Sequence, residues 1–157
     1  MNRAVAFLLL PALLLGCGAV PSQSDAVMCD VATGLVLARA LAQEASAKDG
    51  GGDKNAARQL AGQARTIAQE GHDRLKTITS DDVKGGATWQ ALLSAYLHVG
   101  QAANALLPEY ANTYGITGEE LTKASGDLQT AAAALPAPCF TVSASPAAGA
   151  GISDGSG

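Results

Sequence analysis

Aromatic side chains are scarce in this sequence, with one Trp, three Tyr and two Phe among 157 residues. A core must then be assembled from Leu, Val, Ile and Ala. These bury less area per residue than rings do, at about 25 cal/mol per Å². Positive charge is also short. Ten Lys and Arg face fourteen Asp and Glu, for a net charge of −4 and no basic cluster. That excludes the electrostatic footprint of a nucleic-acid binder and a polybasic patch for anionic lipid. Alternating β-branched runs bounded by turns are missing, which argues against a sheet. The chain has no Gly-x-Ser-x-Gly elbow, no Gly-Lys-Ser/Thr phosphate loop and no alternating acidic calcium loop. It has no internal repeat that would mark a solenoid. After the first apolar stretch no second long hydrophobic run follows.

That first stretch carries the strongest signal. Arg3 supplies a positive start, and Ala4 to Leu15 is apolar apart from the bend at Pro11. The run is short of the roughly 20 residues needed to cross a hydrocarbon core and has the layout of an export signal. It ends in Leu14-Leu15-Gly16-Cys17. This tetrapeptide resembles the lipobox of bacterial lipoproteins, and the resemblance covers these residues alone. It implies cleavage before Cys17, a diacylglyceryl group on the Cys17 sulfur, and a protein held on the extracytoplasmic face of a membrane. Two acyl chains anchor stably where one is marginal, at about 0.8 kcal/mol per buried CH₂. The plainer reading is an ordinary secretory signal whose cysteine is incidental.

With Cys17 assigned to lipid, Cys29 and Cys139 remain as an even pair in an exported chain. A bridge between them would close a long loop, for which chain entropy gives up to about 4.7 kcal/mol. The alternatives are two free thiols or a thiol metal site, and the latter would want more soft ligands at short spacing.

Four helices are predicted. The first runs from about Asp25 to Lys48 with Ser24 as N-cap, and Met28, Val31, Leu35, Ala38, Ala42 and Ala45 form its apolar seam. Asp49-Gly50-Gly51-Gly52 ends it. The second runs from about Asp53 to Ile78, with Ala61, Ala64, Ala68, Gly71, Leu75 and Ile78 on one face. Ser80 to Gly86 reads as a connection. The third spans about Ala87 to Leu107, with Trp89, Leu92, Tyr96, Val99, Ala103 and Leu106 as its expected core face, and Pro108 stops it. A loop from Pro108 to Gly118 carries Tyr110 and Tyr114. Thr117-Gly118-Glu119-Glu120 then matches a capping box for a fourth helix to Leu135, with Leu121, Ala124, Leu128, Ala131 and Leu135 facing inward. Pro136 and Pro138 close it.

Short connections predict antiparallel neighbours and an all-α, up-down-up-down four-helix bundle. In that topology Cys29 and Cys139 lie at one end, where a disulfide clamp requires Cα atoms within about 7 Å. The expected organisation is a signal at 1–16, a tether at 17–24, the bundle at 25–140 and a Ser/Ala/Pro/Gly tail at 141–157, too poor in apolar bulk to fold.

Candidate chemistry is thin. His72 and His98 lack the Glu-x-x-His spacing of a bundle metal site, and a solvent-facing or hydrogen-bonded structural role suits both. No metal or cofactor is expected. Asp81 and Asp82 read as helix-terminal acids. Gly50-Gly51-Gly52 and Gly85-Gly86 read as turns. Trp89 and Tyr96, seven apart, are expected in the core. Tyr110 and Tyr114 are the candidates for partner contact, because Tyr joins a flat apolar face to a polar tip. The leading expectation is a non-catalytic binding or structural module of the cell envelope, meeting a protein or glycan. The alternative is a small-ligand or metal carrier with a cavity between the helices. An enzyme ranks last, for want of a nucleophile, base and orienting group together. The oligomeric state is not legible in the sequence.

Overall fold

The computed structural model describes residues 22–110, 117–135 and 139. The expected signal at 1–16, Cys17, Tyr114 and the expected tail at 141–157 lie outside the described residues. Among the described residues five helices appear in order: α1 (Gln23–Gly50), α2 (Lys54–Lys76), the single turn α3 (Asp81–Lys84), α4 (Ala87–Ala105) and α5 (Thr117–Ala134). Among the described residues there is no strand.

The four long helices form the expected up-down-up-down bundle. α1 packs on α2 and α5, α4 packs on α5 and α2, and α1 meets α4 across the diagonal. Three layers of buried side chains confirm the alternating directions. At one end Met28, Val31 and Leu35 of α1 join Leu75 and Ile78 of α2, Leu92 of α4 and Leu128 and Leu135 of α5. In the middle Ala42, Ala64, Ala102, Ala103 and Leu121 meet. At the other end Ala45, Ala61 and Leu107 close the core. The largest fully buried side chains all belong to the first layer. Each such Leu or Val contributes roughly 1.5–3 kcal/mol, against about 0.8 for a single buried methyl group.

The first layer is also the covalent one. Cys29 and Cys139 form a disulfide with Cα atoms 5.2 Å apart, joining residues 110 positions apart in sequence. The bridge ties the first turns of α1 to the segment just beyond α5.

Helix ends explain the boundaries. α1 begins two residues before the expected start because Ser22, not Ser24, is its N-cap. The Ser22 hydroxyl accepts from the Asp25 N–H at 3.1 Å, and the Asp25 carboxylate accepts from the Ser22 N–H at 3.1 Å. This reciprocal pair satisfies two N–H groups that the helix itself leaves open. At the far end, Gly52 takes φ +87°, a left-handed conformation that glycine adopts without a Cβ clash. Asp53 then caps α2 by accepting from the Ala56 N–H at 3.1 Å. The expected connection at 80–86 contains α3 and leads through Gly86 into α4.

Further expectations need correction, Leu106 among them: it is half-buried and Leu107 takes the core position. The α4 seam is rotated: Ala91, Leu92, Ala95, Val99, Ala102 and Ala103 are buried, while Trp89 and Tyr96 are half-buried on its flank. Interaxial distance follows side-chain size, so the close diagonal approach of α1 and α4 admits alanines and turns the rings aside. The Thr117–Glu120 capping box is not formed either. The Thr117 hydroxyl donates to the Ala102 carbonyl at 3.5 Å, and Glu120 is drawn inward to α4.

Candidate functional site

Glu120 is the one buried charged side chain among the described residues, 7% exposed. It sits in the first turn of α5, facing the flank of α4 that carries His98. One carboxylate oxygen lies 2.6 Å from His98 Nδ1, and the other accepts from Lys123 Nζ at 3.0 Å. Lys123 also pairs with Glu119 at 2.9 Å. Burial alone would raise the Glu120 carboxyl, but the hydrogen bonds from His98 and Lys123 outweigh it and hold it below the usual carboxylate range. An ionised carboxylate only accepts, so Nδ1 carries the hydrogen of this bond. The second ring nitrogen is 3.8 Å from Asp127, whose buried Oδ2 has no hydrogen-bond partner. The cluster couples two helices. No group of three or more His, Cys, Asp or Glu is arranged to hold a metal among the described residues.

His72 lies between α2 and α4, its ring stacked on Tyr96 at 4.2 Å between centroids and 3° from parallel. Burial and the nearby Lys76 lower its pKa, against the opposing pull of Asp73. The imidazole is therefore neutral at neutral pH. The Tyr96 hydroxyl donates to Gln69 at 3.2 Å. His98 thus has the hydrogen-bonded role expected of it, whereas His72 is held by stacking and its buried Nδ1 has no hydrogen-bond partner.

Of the two loop tyrosines, Tyr110 is described. It is half-buried against Ala45, Ala61 and Leu107. The Arg65 guanidinium lies over its ring, 4.9 Å from the centroid, and Arg65 Nη2 donates to its hydroxyl at 3.4 Å. Tyr110 thus packs over the alanine-lined end of the bundle. Asp81 opens α3, and the side chain of Asp82 is not described.

Two open grooves border these elements. One, of about 480 Å³, runs along α2 past Arg65, Gln69 and Asp73 to Leu107 and Glu109. Its charges are of both signs. The other, of about 360 Å³, lies between α1 and α5, lined by Arg39, Gln43, Ser46 and Thr122 over Ala47 and Leu121. Arg39 is half-buried there, and its Nε donates to the Leu121 carbonyl at 3.3 Å. Sequence periodicity placed Arg39 beside the α1 seam without distinguishing it from other polar residues. No helix among the described residues is long and apolar enough to cross a membrane.

No protein-family model matches the chain, and neither a curated protein nor a solved structure matches it.

Proposed function

We propose that the protein is a lipid-anchored, extracytoplasmic helical bundle acting as a non-catalytic binding or structural module of the cell envelope. The observation that carries this reading is the end-to-end arrangement of the bundle. Ser22, which begins α1, follows Cys17 by the stretch 18–21 alone, and it lies at the disulfide-clamped end. An acyl group on Cys17 would hold the domain by that end. The turn at Gly50–Gly52 and the Pro108–Tyr110 segment would then face away from the membrane, toward an envelope protein or glycan. Ala38, Ala42, Ala95 and Ala124 are fully buried in the interior. This filling weighs against a ligand cavity between the helices, and the grooves described above open to solvent instead.

Metabolic labelling with an alkynyl fatty acid tests the anchor. The expected result is label on the wild type, none on Cys17→Ala, and release of that variant from the membrane fraction. Membrane retention of unlabelled Cys17→Ala overturns the anchor. In-cell crosslinking from positions flanking Tyr110, with mass spectrometry, tests the contact end. One macromolecular adduct, lost in Cys17→Ala cells, is expected.

A further inference from the structure

The α1–α5 groove is built around Arg39, which like Lys48, Arg58 and Arg65 makes no ion pair among the described residues but unlike those three is half-buried. Arg74 pairs with Asp30, and Lys54, Lys76 and Lys123 each pair with a neighbouring carboxylate. Arg39 is set deeper, at the wall between two helices, and no described carboxylate reaches it. Among the acids, Asp154 alone lies outside the described segments, and Asp82, whose side chain is not described, belongs to α3 at the other end of the bundle. A half-buried guanidinium without a counter-charge is costly, because burying a charge is favourable only when it is paired. In a chain of net charge −4, the groove around it contains one cation and no acid.

The bond from Nε to the Leu121 carbonyl does more than satisfy one donor. It fixes the plane of the guanidinium and leaves the Nη1–Nη2 edge, two parallel N–H donors spaced to meet two oxygens of one planar acid group. The Gln43 amide and the hydroxyls of Ser46 and Thr122 line the same groove. Thr122 already donates to the Gly118 carbonyl at 2.9 Å, so its oxygen can only accept and would meet a donor on the body of a ligand, not the carboxylate itself. The floor is Ala47 and Leu121. The volume, about 360 Å³, falls within the range of small-ligand sites, about 300–1,000 Å³.

We propose that this groove is a carboxylate-binding seat, with the Arg39 guanidinium as its charged anchor and Gln43 and Ser46 as neutral donors beside it. A single cation over a partly apolar floor suits one flat, singly charged group carrying a short body. It suits a phosphate dianion less, which wants more positive charge. The seat is independent of lipidation at Cys17 and stands or falls apart from the anchor. The carboxylate can come from a free small acid or from the C-terminus of a peptide chain.

Titration of the isotope-labelled protein by NMR tests it, with propionate, N-acetylalanine, N-acetylalaninamide and inorganic phosphate as probes. Saturable shifts are expected at the Arg39 Nε–H and at the backbone N–H groups of Ser46 and Thr122 with at least one carboxylate, and none with the amide. Saturation by propionate alone identifies a small acid, and saturation by N-acetylalanine alone identifies a peptide terminus. Arg39→Gln should abolish the shifts. Arg39→Lys should weaken binding by roughly tenfold or more, the worth of a charge-assisted hydrogen bond. Gln43→Leu, at an exposed α1 position, keeps the test open if Arg39→Gln does not fold, and it too should weaken binding. Shifts that grow linearly and equally in wild type and Arg39→Gln overturn the seat. Phosphate binding as tightly as the carboxylates overturns its chemical class.

Discussion

His98 Nδ1 and a carboxylate oxygen of Glu120 stand 2.6 Å apart and join α4 to α5 across a gap of 22 residues. Because Glu120 is buried, removing its carboxylate takes the acceptor from His98 Nδ1 and leaves Lys123 with Glu119 alone. Glu120→Ala should cost about 2 kcal/mol, read from urea unfolding midpoints at neutral pH. Lys123 is exposed, and Lys123→Ala should have a much smaller effect.

The same pair makes stability depend on pH. The folded protein holds the Glu120 carboxyl below its usual range, whereas the unfolded chain has the ordinary glutamate value of about 4.3. The contribution is therefore complete above that value and is lost as pH falls through the lower, folded one. Unfolding midpoints of wild type and Glu120→Gln should differ at neutral pH and converge in acid below the ordinary value. A difference that widens on acidification would contradict this.

Reducing the Cys29–Cys139 bridge frees a loop of 110 residues. The chain-entropy relation gives a loss of up to about 4.7 kcal/mol for a loop of that size. Reductant, or Cys29→Ser with Cys139→Ser, should lower the urea midpoint by a corresponding amount, with helical circular dichroism at low urea retained. An unchanged midpoint would mean that the bridge does not constrain the unfolded chain.

Two glycines should respond in opposite directions to alanine. A Cβ at Gly71 would meet Val31 at 3.5 Å and Leu35 at 3.9 Å, ordinary contact distances in the α1–α2 interface. Gly71→Ala therefore gains helix propensity without a clash, and should stabilise by about 1 kcal/mol. Gly52 has open space around it but a φ of +87°. Gly52→Ala should destabilise by about 1 kcal/mol through backbone strain. Thermal denaturation of the two variants side by side checks both signs.

The expected seams of α1, α2 and α5 match the buried residues, because each has apolar and small residues at 3-4 spacing with polar residues between. In α4 the same rule favours Trp89 and Tyr96 by their size. Packing favours Ala91, Ala95 and Ala102 instead, since helices lined with alanine come too close to admit rings. That rotation carries His98 toward Glu120, so their pairing was hidden for the same reason. The Thr117–Glu120 spacing misled in a different way. A capping box needs Glu120 free to turn back on its own helix, and the half-buried His98 imidazole competes for it. Ser22 was legible in principle, since Asp25 stands at the position that completes its box. Arg39 carried no local signal, because its isolation depends on which acids α1 and α5 bring near it.

The layering of the core gives the molecule a direction of opening. Large side chains and the covalent bridge sit together at one end, and alanines fill the other. Local opening should therefore begin where α1 hands over to α2 and spread toward the clamp, since opening free energy tracks buried apolar contact. Amide hydrogen exchange checks this: protection should rise along α1 from Ala45 to Val31 and along α2 from Ala61 to Leu75. A bundle built this way is fastened at its base and breathes at its tip, with Tyr110 resting on Arg65 at the part that breathes first.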